Sequence, residues 1–573
     1  MNGALLLALS LVLFGAAYHF YGRFIERVLG VDPSRPTPAH THKDGIDYLP
    51  THPAILFGHH FASIAGAGPI VGPVLAAQYG WVAVVLWVVF GCIFIGTVHD
   101  LAAMFLSIRH QGRSIGTVIE SLMGFWGRQV FLFFCWFTLV LVVAEFTRIV
   151  AATFVETPAV ATASLLFILL AIGFGTLVYR SGMNIFRASV IFVPLTFACV
   201  YFGTLVPLDL VKQFGCDVAT AKQIWVIILL GYCFAASVLP VWLLLQPRDY
   251  LNSYLLYAMM LLGFLGIFVA APHIHLDAFT GWLAVNPDTG NKDPLLPLLF
   301  VTVACGACSG FHALVATGTT AKQVDKESHM RPVAYGGMLV EGALAIVALI
   351  AVGWMTQSEY SAAMKAQGAV TLFASGVAGF TDKLGMPHHA GIVFISLALA
   401  AFLMTTLDTA TRLARFTWQE LFLPREKAGG EQPGELSGKP LSRLFANRYT
   451  ATLFAVVASG WLLLGGGSKS IWPIFASSNQ LLAALTLLGT GLWLLRHKRP
   501  IAIVLVPMIF MILTSGSAVV TIFCRSLNKW QAHGFKTGGV TTITAAILII
   551  MAVALIVLGA VSFRKSLKEN REV

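Results

Sequence analysis

The sequence predicts an all-α polytopic membrane protein with about 15 transmembrane helices, and three observations carry that reading. Only 11% of its 573 residues are charged, against about 25% in an ordinary soluble domain, and the mean hydropathy is +0.80. Apolar runs near the roughly 20 residues that a helix needs to cross a bilayer recur from end to end. Lys and Arg crowd into alternate short loops, as they do on the cytoplasmic side of membrane proteins.

The chain starts Met1-Asn2-Gly3 with no basic region and no small-residue cleavage site, so residues 3–22 read as a retained helix and not as a signal peptide. The spans that follow are 54–78, 80–107, 128–155, 160–179, 185–206, 222–245, 251–271, 295–319, 333–355, 389–411, 449–466, 471–495, 501–524 and 540–562. Residues 367–380 are apolar but short, which suits a re-entrant or loop-packed piece.

With the N-terminus outside, the inner loops hold 27 Lys and Arg, Arg248 among them, and the outer loops nine. This asymmetry places the C-terminus of a multi-pass protein in the cytoplasm. It also accounts for the net charge of +11 without nucleic acid. The outer loop 272–294 carries Asp277, Asp288 and Asp293 against Lys292. The inner stretch 412–448, with Gly429-Gly430-Glu431-Gln432-Pro433-Gly434, reads as a flexible linker, and no soluble domain fits anywhere. The eight cysteines fall in or near apolar spans and show no disulfide framework.

Two spans are badly built for plain helices. Between positions 66 and 73 lie Gly66, Gly68, Pro69, Gly72 and Pro73, and each Pro deletes a helical donor and clashes with the turn before it. Broken backbone at membrane depth survives only where it packs in protein or lines a polar cavity. Residues 302–320 have the same small and polar character, with Gly306, Ser309, Gly310 and His312. By the loop charges this span runs opposite to 54–78. A pair of interrupted spans in opposite orientations is what inverted-repeat transporters place at their binding sites, although glycine and serine also let helices pack closely.

Ionisable groups at membrane depth are functional candidates by default. His59 and His60 precede the first break; His99 and Asp100 sit near the end of the next span, as a proton relay or a solvated helix end. Glu145 and Arg148, at i and i+3, share a face and can form a relay or a structural ion pair. Glu341 sits in span 333–355. Thr405, Thr406, Asp408 and Thr409 offer hard oxygen ligands on about one helical turn, a set suited to sodium or to a proton on the carboxylate; back-bonding to the helix is the plainer role for the threonines. Cys305, Cys308 and His312 face one way and, with His59 or His60, form the donor set of a less favoured metal or haem reading. No nucleophile elbow, phosphate loop or kinase signature is present, so neither an enzyme nor ATP-driven transport by this chain alone is expected.

The run His60-Phe61-Ala62-Ser63-Ile64-Ala65-Gly66-Ala67-Gly68-Pro69, then Gly72-Pro73-Val74-Leu75-Ala76-Ala77-Gln78 and His99-Asp100, resembles the carbon-starvation protein A (CstA) family. So do Ala304-Cys305-Gly306, Ser309-Gly310-Phe311-His312-Ala313, Thr317 to Thr320, Leu407-Asp408-Thr409-Ala410-Thr411-Arg412, Ile471-Trp472-Pro473 and Ser478-Asn479-Gln480-Leu481-Leu482-Ala483-Ala484. The resemblance covers residues 54–484 and is less distinct after about 500. It implies an inner-membrane transporter of peptides or, in a related branch, of pyruvate with protons. It also implies kinship with the amino acid–polyamine–cation superfamily and hence a leucine-transporter-like 5+5 inverted repeat with extra helices. The chain then divides into 1–53 (N-terminal helix and cytoplasmic loop), 54–206 (repeat one), 207–294 (an inserted hairpin and outer loop), 295–495 (repeat two) and 496–573 (two C-terminal helices and a tail).

The expected function is symport of a short peptide or small organic anion, coupled to protons or sodium and needing no cofactor. His60, Gly66, Ala67, Gly68, Ser309, Gly310, His312, Asn479 and Gln480 are the candidate substrate residues, and Thr405, Thr406, Asp408 and Thr409 the coupling residues. His60, closer to the break than His59, is the histidine expected to face the cavity. Asn479 and Gln480 are polar liners or helix ties. A nutrient sensor lacks the soluble signalling domain it would need. The partners expected are substrate and membrane lipids; the sequence leaves the oligomeric state open.

Overall fold

The computed structural model describes residues 1–44, 48–240, 242–287, 290–422, 444–465 and 471–572. The Gly429–Gly434 stretch of the expected linker and Asp288 of the outer loop lie outside the described residues. In hydrocarbon each backbone N–H and C=O needs an internal partner, so apolar runs of this length become helices.

Among the described residues thirteen helices are long and apolar enough to span a membrane, a bent pair makes a fourteenth crossing, and the shorter apolar helix Arg448–Leu464 matches the fifteenth expected span. In chain order they are α1 Gly3–Leu29, the bent pair α2 Pro53–Ile64 and α3 Gly68–Tyr79, α4 Trp81–Arg109, α5 Ile115–Glu156, α6 Pro158–Arg180, α7 Ile185–Leu205, α8 Val218–Val238 and α9 Leu245–Ala270. The next crossing, Leu295–Lys322, is made of α10 Leu295–Val303 and α11 Gly310–Gly318. Then come α12 Glu327–Gly353, α13 Gln357–Asp382, α14 His388–Leu421, α15 Arg448–Leu464, α16 Trp472–Arg496, α17 Ala502–His533 and α18 Phe535–Glu569.

Three details differ from the sequence reading. Helix α5 starts at Ile115, thirteen residues early, and turns at Gly124, whose φ of 77° is open to glycine. Residues 367–380 are the far half of α13, which bends at Gly368 with φ 74°. Helix α9 begins at Leu245 and not at 251, so Arg248 is not a loop residue: it is buried in a helix, and the loop charge asymmetry stands without it. The loop 272–294 also holds a two-stranded antiparallel ribbon, Leu283–Val285 with Lys292–Pro294, that the sequence did not suggest.

The helices sort into a centre and a rim. The most apolar window of α16 is 100% buried and those of α12 and α14 are 89% buried, whereas the stretch Ile185–Phe214 that holds α7 is 22% buried and α18 is 28%. The rim presents large apolar side chains such as Phe186, Val190 and Ile550 outward, as a lipid-facing surface requires. The broken helices belong to the centre, where their loose backbone ends are packed in protein.

Candidate functional site at two broken helices

The first break follows from its prolines and glycines. Helix α2 ends when Ala65 leaves helical geometry (φ −72°, ψ 74°), and α3 restarts at Gly68 at an angle of 48°. The second break opens at Ala304, whose φ of 46° and ψ of −119° are rare for a residue with a Cβ, at a cost of order 1–3 kcal/mol. Helix α11 then resumes at Gly310.

The two breaks touch. A Cβ on Gly68 would lie 2.4 Å from the Cβ of Cys305, and one on Gly72 would lie 2.3 Å from the carbonyl oxygen of Val303. Only glycine permits this approach. Among the described residues nothing accepts from the amides of Ala67, Gly68, Ser309 or Gly310, so two helix starts bring four free N–H donors into one buried region. Helix N-termini of this kind favour a carboxylate.

Helix α16 closes the region. Asn479 Oδ1 accepts from the Phe311 amide at 2.8 Å, and its Nδ2 donates to Ser309 Oγ at 3.1 Å and to Cys305 Sγ at 3.3 Å. Gln480 donates to the Phe300 carbonyl at 2.7 Å. Both side chains therefore act as helix ties in this conformation.

A chain of ionisable groups runs into the second break. Asp100, fully buried on α4, accepts at 2.8 Å from His99 Nδ1 through one oxygen and lies 2.8 Å from His312 Nδ1 through the other. The far nitrogen of His312 is 3.1 Å from Glu341 Oε2 on α12, an ion-pair distance without hydrogen-bond alignment. His60 Nδ1 meets Thr320 Oγ1 at 2.9 Å and so joins the first broken span to the end of the second, while its Nε2 has no partner. His60 is buried and His59 half-buried. His99 and Asp100 are not a solvated helix end: α4 continues to Arg109 and packs both residues fully inside. Glu341, in sequence an ionisable group at membrane depth with no spacing signal to give it a role, belongs to this chain.

Asp408 is not a free carboxylate. Arg248 of α9 pairs with it directly, and Tyr232 of α8 donates to the same oxygen at 2.8 Å. Thr405 faces the same cluster and accepts from Asn252 at 3.0 Å. The four expected coupling residues do not converge: Thr406 turns its hydroxyl toward Gly66, within 3.1 Å of where a Cβ there would lie, and Thr409 is half-buried. This pairing is hidden in the sequence because Arg248 falls between the apolar runs and reads as a loop residue.

Glu145 and Arg148 form a two-pronged ion pair at 3.0 and 2.6 Å, and Glu145 also accepts from the Ile471 amide at 3.2 Å, which anchors the start of α16. Cys305, Cys308, His312 and His59 do not make a metal site. Both nitrogens of His312 face carboxylates, and among the described residues no three His, Cys, Asp or Glu side chains are placed to hold an ion.

Comparison with known proteins agrees with the residues at the breaks. The family model for carbon starvation protein CstA matches residues 2–366 and 359–518. A peptide transporter CstA from Bacillus subtilis is 32% identical, covering 96% of this chain and 95% of its own. Two Escherichia coli proteins follow: a peptide transporter CstA, 34% identical over 87% of this chain and 78% of its own, and the pyruvate/proton symporter BtsT, 32% identical over 89% and 80%. Among solved structures, a manganese transporter from Eremococcus coleocola aligns over 90% of this chain and 95% of its own at 12% identity and a TM-score of 0.41; MhsT in complex with L-phenylalanine aligns over 87% and 98% at 12% and 0.38. Over nearly its whole length this chain belongs to the carbon starvation protein CstA family.

Proposed function

We propose that the protein is a secondary active symporter that imports a short peptide or a small carboxylate such as pyruvate. It is driven by a proton gradient and works by alternating access, without chemical change to its cargo. The observation that carries the proposal is the buried chain His99–Asp100–His312–Glu341, attached to a broken helix whose neighbouring amides are free. Histidine changes charge near neutral pH, so a carboxylate–imidazole–carboxylate series can take up and release a proton as the helices around it move. The names of the relatives, peptide transporter and pyruvate/proton symporter, support the same class of cargo.

On this reading the free amides of Ala67, Gly68, Ser309 and Gly310 receive the substrate carboxylate. Residues 54–206 and 295–495 form a leucine-transporter-like pair of inverted repeats, with α8 and α9 inserted between them. The N-terminus faces outward and the C-terminus lies in the cytoplasm of an inner membrane, as the loop charges favour. A sodium-coupled variant has one observation in its favour, the Thr406 hydroxyl beside the first break.

The test is uptake of labelled pyruvate and dialanine into proteoliposomes under separately imposed pH and sodium gradients. Accumulation of either compound under the pH gradient, and its loss in His312→Gln, is the expected result. Accumulation under sodium alone replaces the proton by sodium, and no accumulation under any gradient refutes the proposal.

A further inference from the structure

At the end of the bundle that holds the basic inner loops, remote from the breaks, is a cavity of about 170 Å³ lined by Leu29, Gly30, Arg35, Arg109, Trp493, His497 and Arg499. Three guanidiniums and an imidazole surround it. We propose that this cavity is a binding site for a phosphate oxyanion, either free in solution or carried on an anionic lipid headgroup.

The walls are built to hold their charges in place. Helix α1 ends at Leu29 with Gly30 in the left-handed conformation (φ 73°), and two arginines fasten to its end: Arg109 Nη2 donates to the Gly30 carbonyl at 2.7 Å and Arg499 Nη1 to the Val28 carbonyl at 3.1 Å. A Cβ on residue 30 would fall 2.2 Å from the Arg499 guanidinium, so glycine is what lets that group reach the cavity. His497 stacks on Trp493 with ring centres 3.9 Å apart, and its Nδ1 lies 2.8 Å from the Trp493 carbonyl, which leaves Nε2 for a ligand. Arg35 lies on the exposed rim.

The nearby acids cancel only part of this charge. Glu327 takes one hydrogen bond from Arg109 at 2.9 Å and accepts the Asp32 amide at 2.8 Å. Asp32 is turned to Ser34, whose hydroxyl and amide hold its carboxyl below the usual range, with Arg109 and Arg35 adding to the effect. Three permanent cations thus face two occupied carboxylates, and planar guanidinium forks suit phosphate oxygens. The position at the ends of α1, α4 and α16 puts the cavity level with lipid headgroups, where basic pockets between helices bind anionic lipids.

The purified protein in phosphatidylcholine nanodiscs is titrated with inorganic phosphate by calorimetry, and phosphatidylglycerol adducts are counted by native mass spectrometry against phosphatidylcholine. Binding in either arm, weakened about tenfold by Arg35→Gln, supports the site and names its source. Arg35→Gln touches neither carbonyl cap, so its fold is expected to be intact; Arg499→Gln should weaken the same arm further. Binding in neither arm, or binding that both variants leave unchanged, overturns the proposal.

Discussion

Two of the buried charge clusters in this bundle differ in one partner. In the first, Asp100 and Glu341 are paired through His312, with His99 beside them. In the second, Asp408 is paired with Arg248 and held by Tyr232. Arginine keeps its proton at every accessible pH, so the cation of the second cluster, which joins α9 to α14, does not titrate. Histidine gains and loses charge near neutrality, so the first cluster can exist in more than one protonation state. The lesson is that what a buried carboxylate can do is set by what faces it, not by its being buried.

Breaking each cluster should therefore give a different failure. Asp100→Asn is expected to abolish accumulation driven by a pH gradient while leaving exchange of substrate between equal pools, measured in the same vesicles. Loss of both activities would assign Asp100 to binding. Asp408→Asn leaves Arg248 buried without its counter-charge, and it should cost about 3–5 kcal/mol of stability, read as a lower unfolding temperature in detergent. Replacing both partners by Asp408→Leu with Arg248→Met should recover most of that loss; a single variant that unfolds like the parent would contradict the structural role.

Smaller effects sharpen the contrast. Gly72→Ala drives a methyl against the Val303 carbonyl where the breaks meet, and it should cost about 1–3 kcal/mol and reduce uptake, with both clusters intact. Asp217, the exposed N-cap of α8, is a reference carboxylate outside both clusters. Its bonds from the Thr220 hydroxyl and amide, with the Ala219 amide, hold its carboxyl below the ordinary 3.8. A lowered folded value means the stabilisation is complete above the ordinary value and is lost as pH falls through the folded one. Asp217→Asn keeps the cap, so stability at neutral pH should change little, and the acid-side slope of the unfolding temperature should flatten.

Much of the fold was legible because the bilayer restricts the answer. Each expected span from 3–22 to 540–562 has its helix, and the cluster of Gly66, Gly68, Pro69, Gly72 and Pro73 announced the first break. The second break was legible only as small and polar character, since nothing in Ala304 by its identity signals a positive φ. Of the residues expected at the breaks, Gly68 meets Cys305 and His60 reaches Thr320 of the other broken span, whereas His312 turns to Asp100 of α4. The ion set at 405–409 does not, because helical spacing shows which residues share a turn and not which neighbour lies opposite.

Composition and periodicity alone determined that the chain is a bundle of membrane-spanning helices with two interrupted members, since hydrocarbon leaves the backbone no alternative. Tertiary structure alone decided the pairing of charges. Arg248 lies 160 positions from Asp408 and Asp100 lies 212 from His312, and no local pattern encodes such separations. Packing chose histidine as one carboxylate's partner and arginine as the other's, and that choice separates a group that can change its charge from one that cannot.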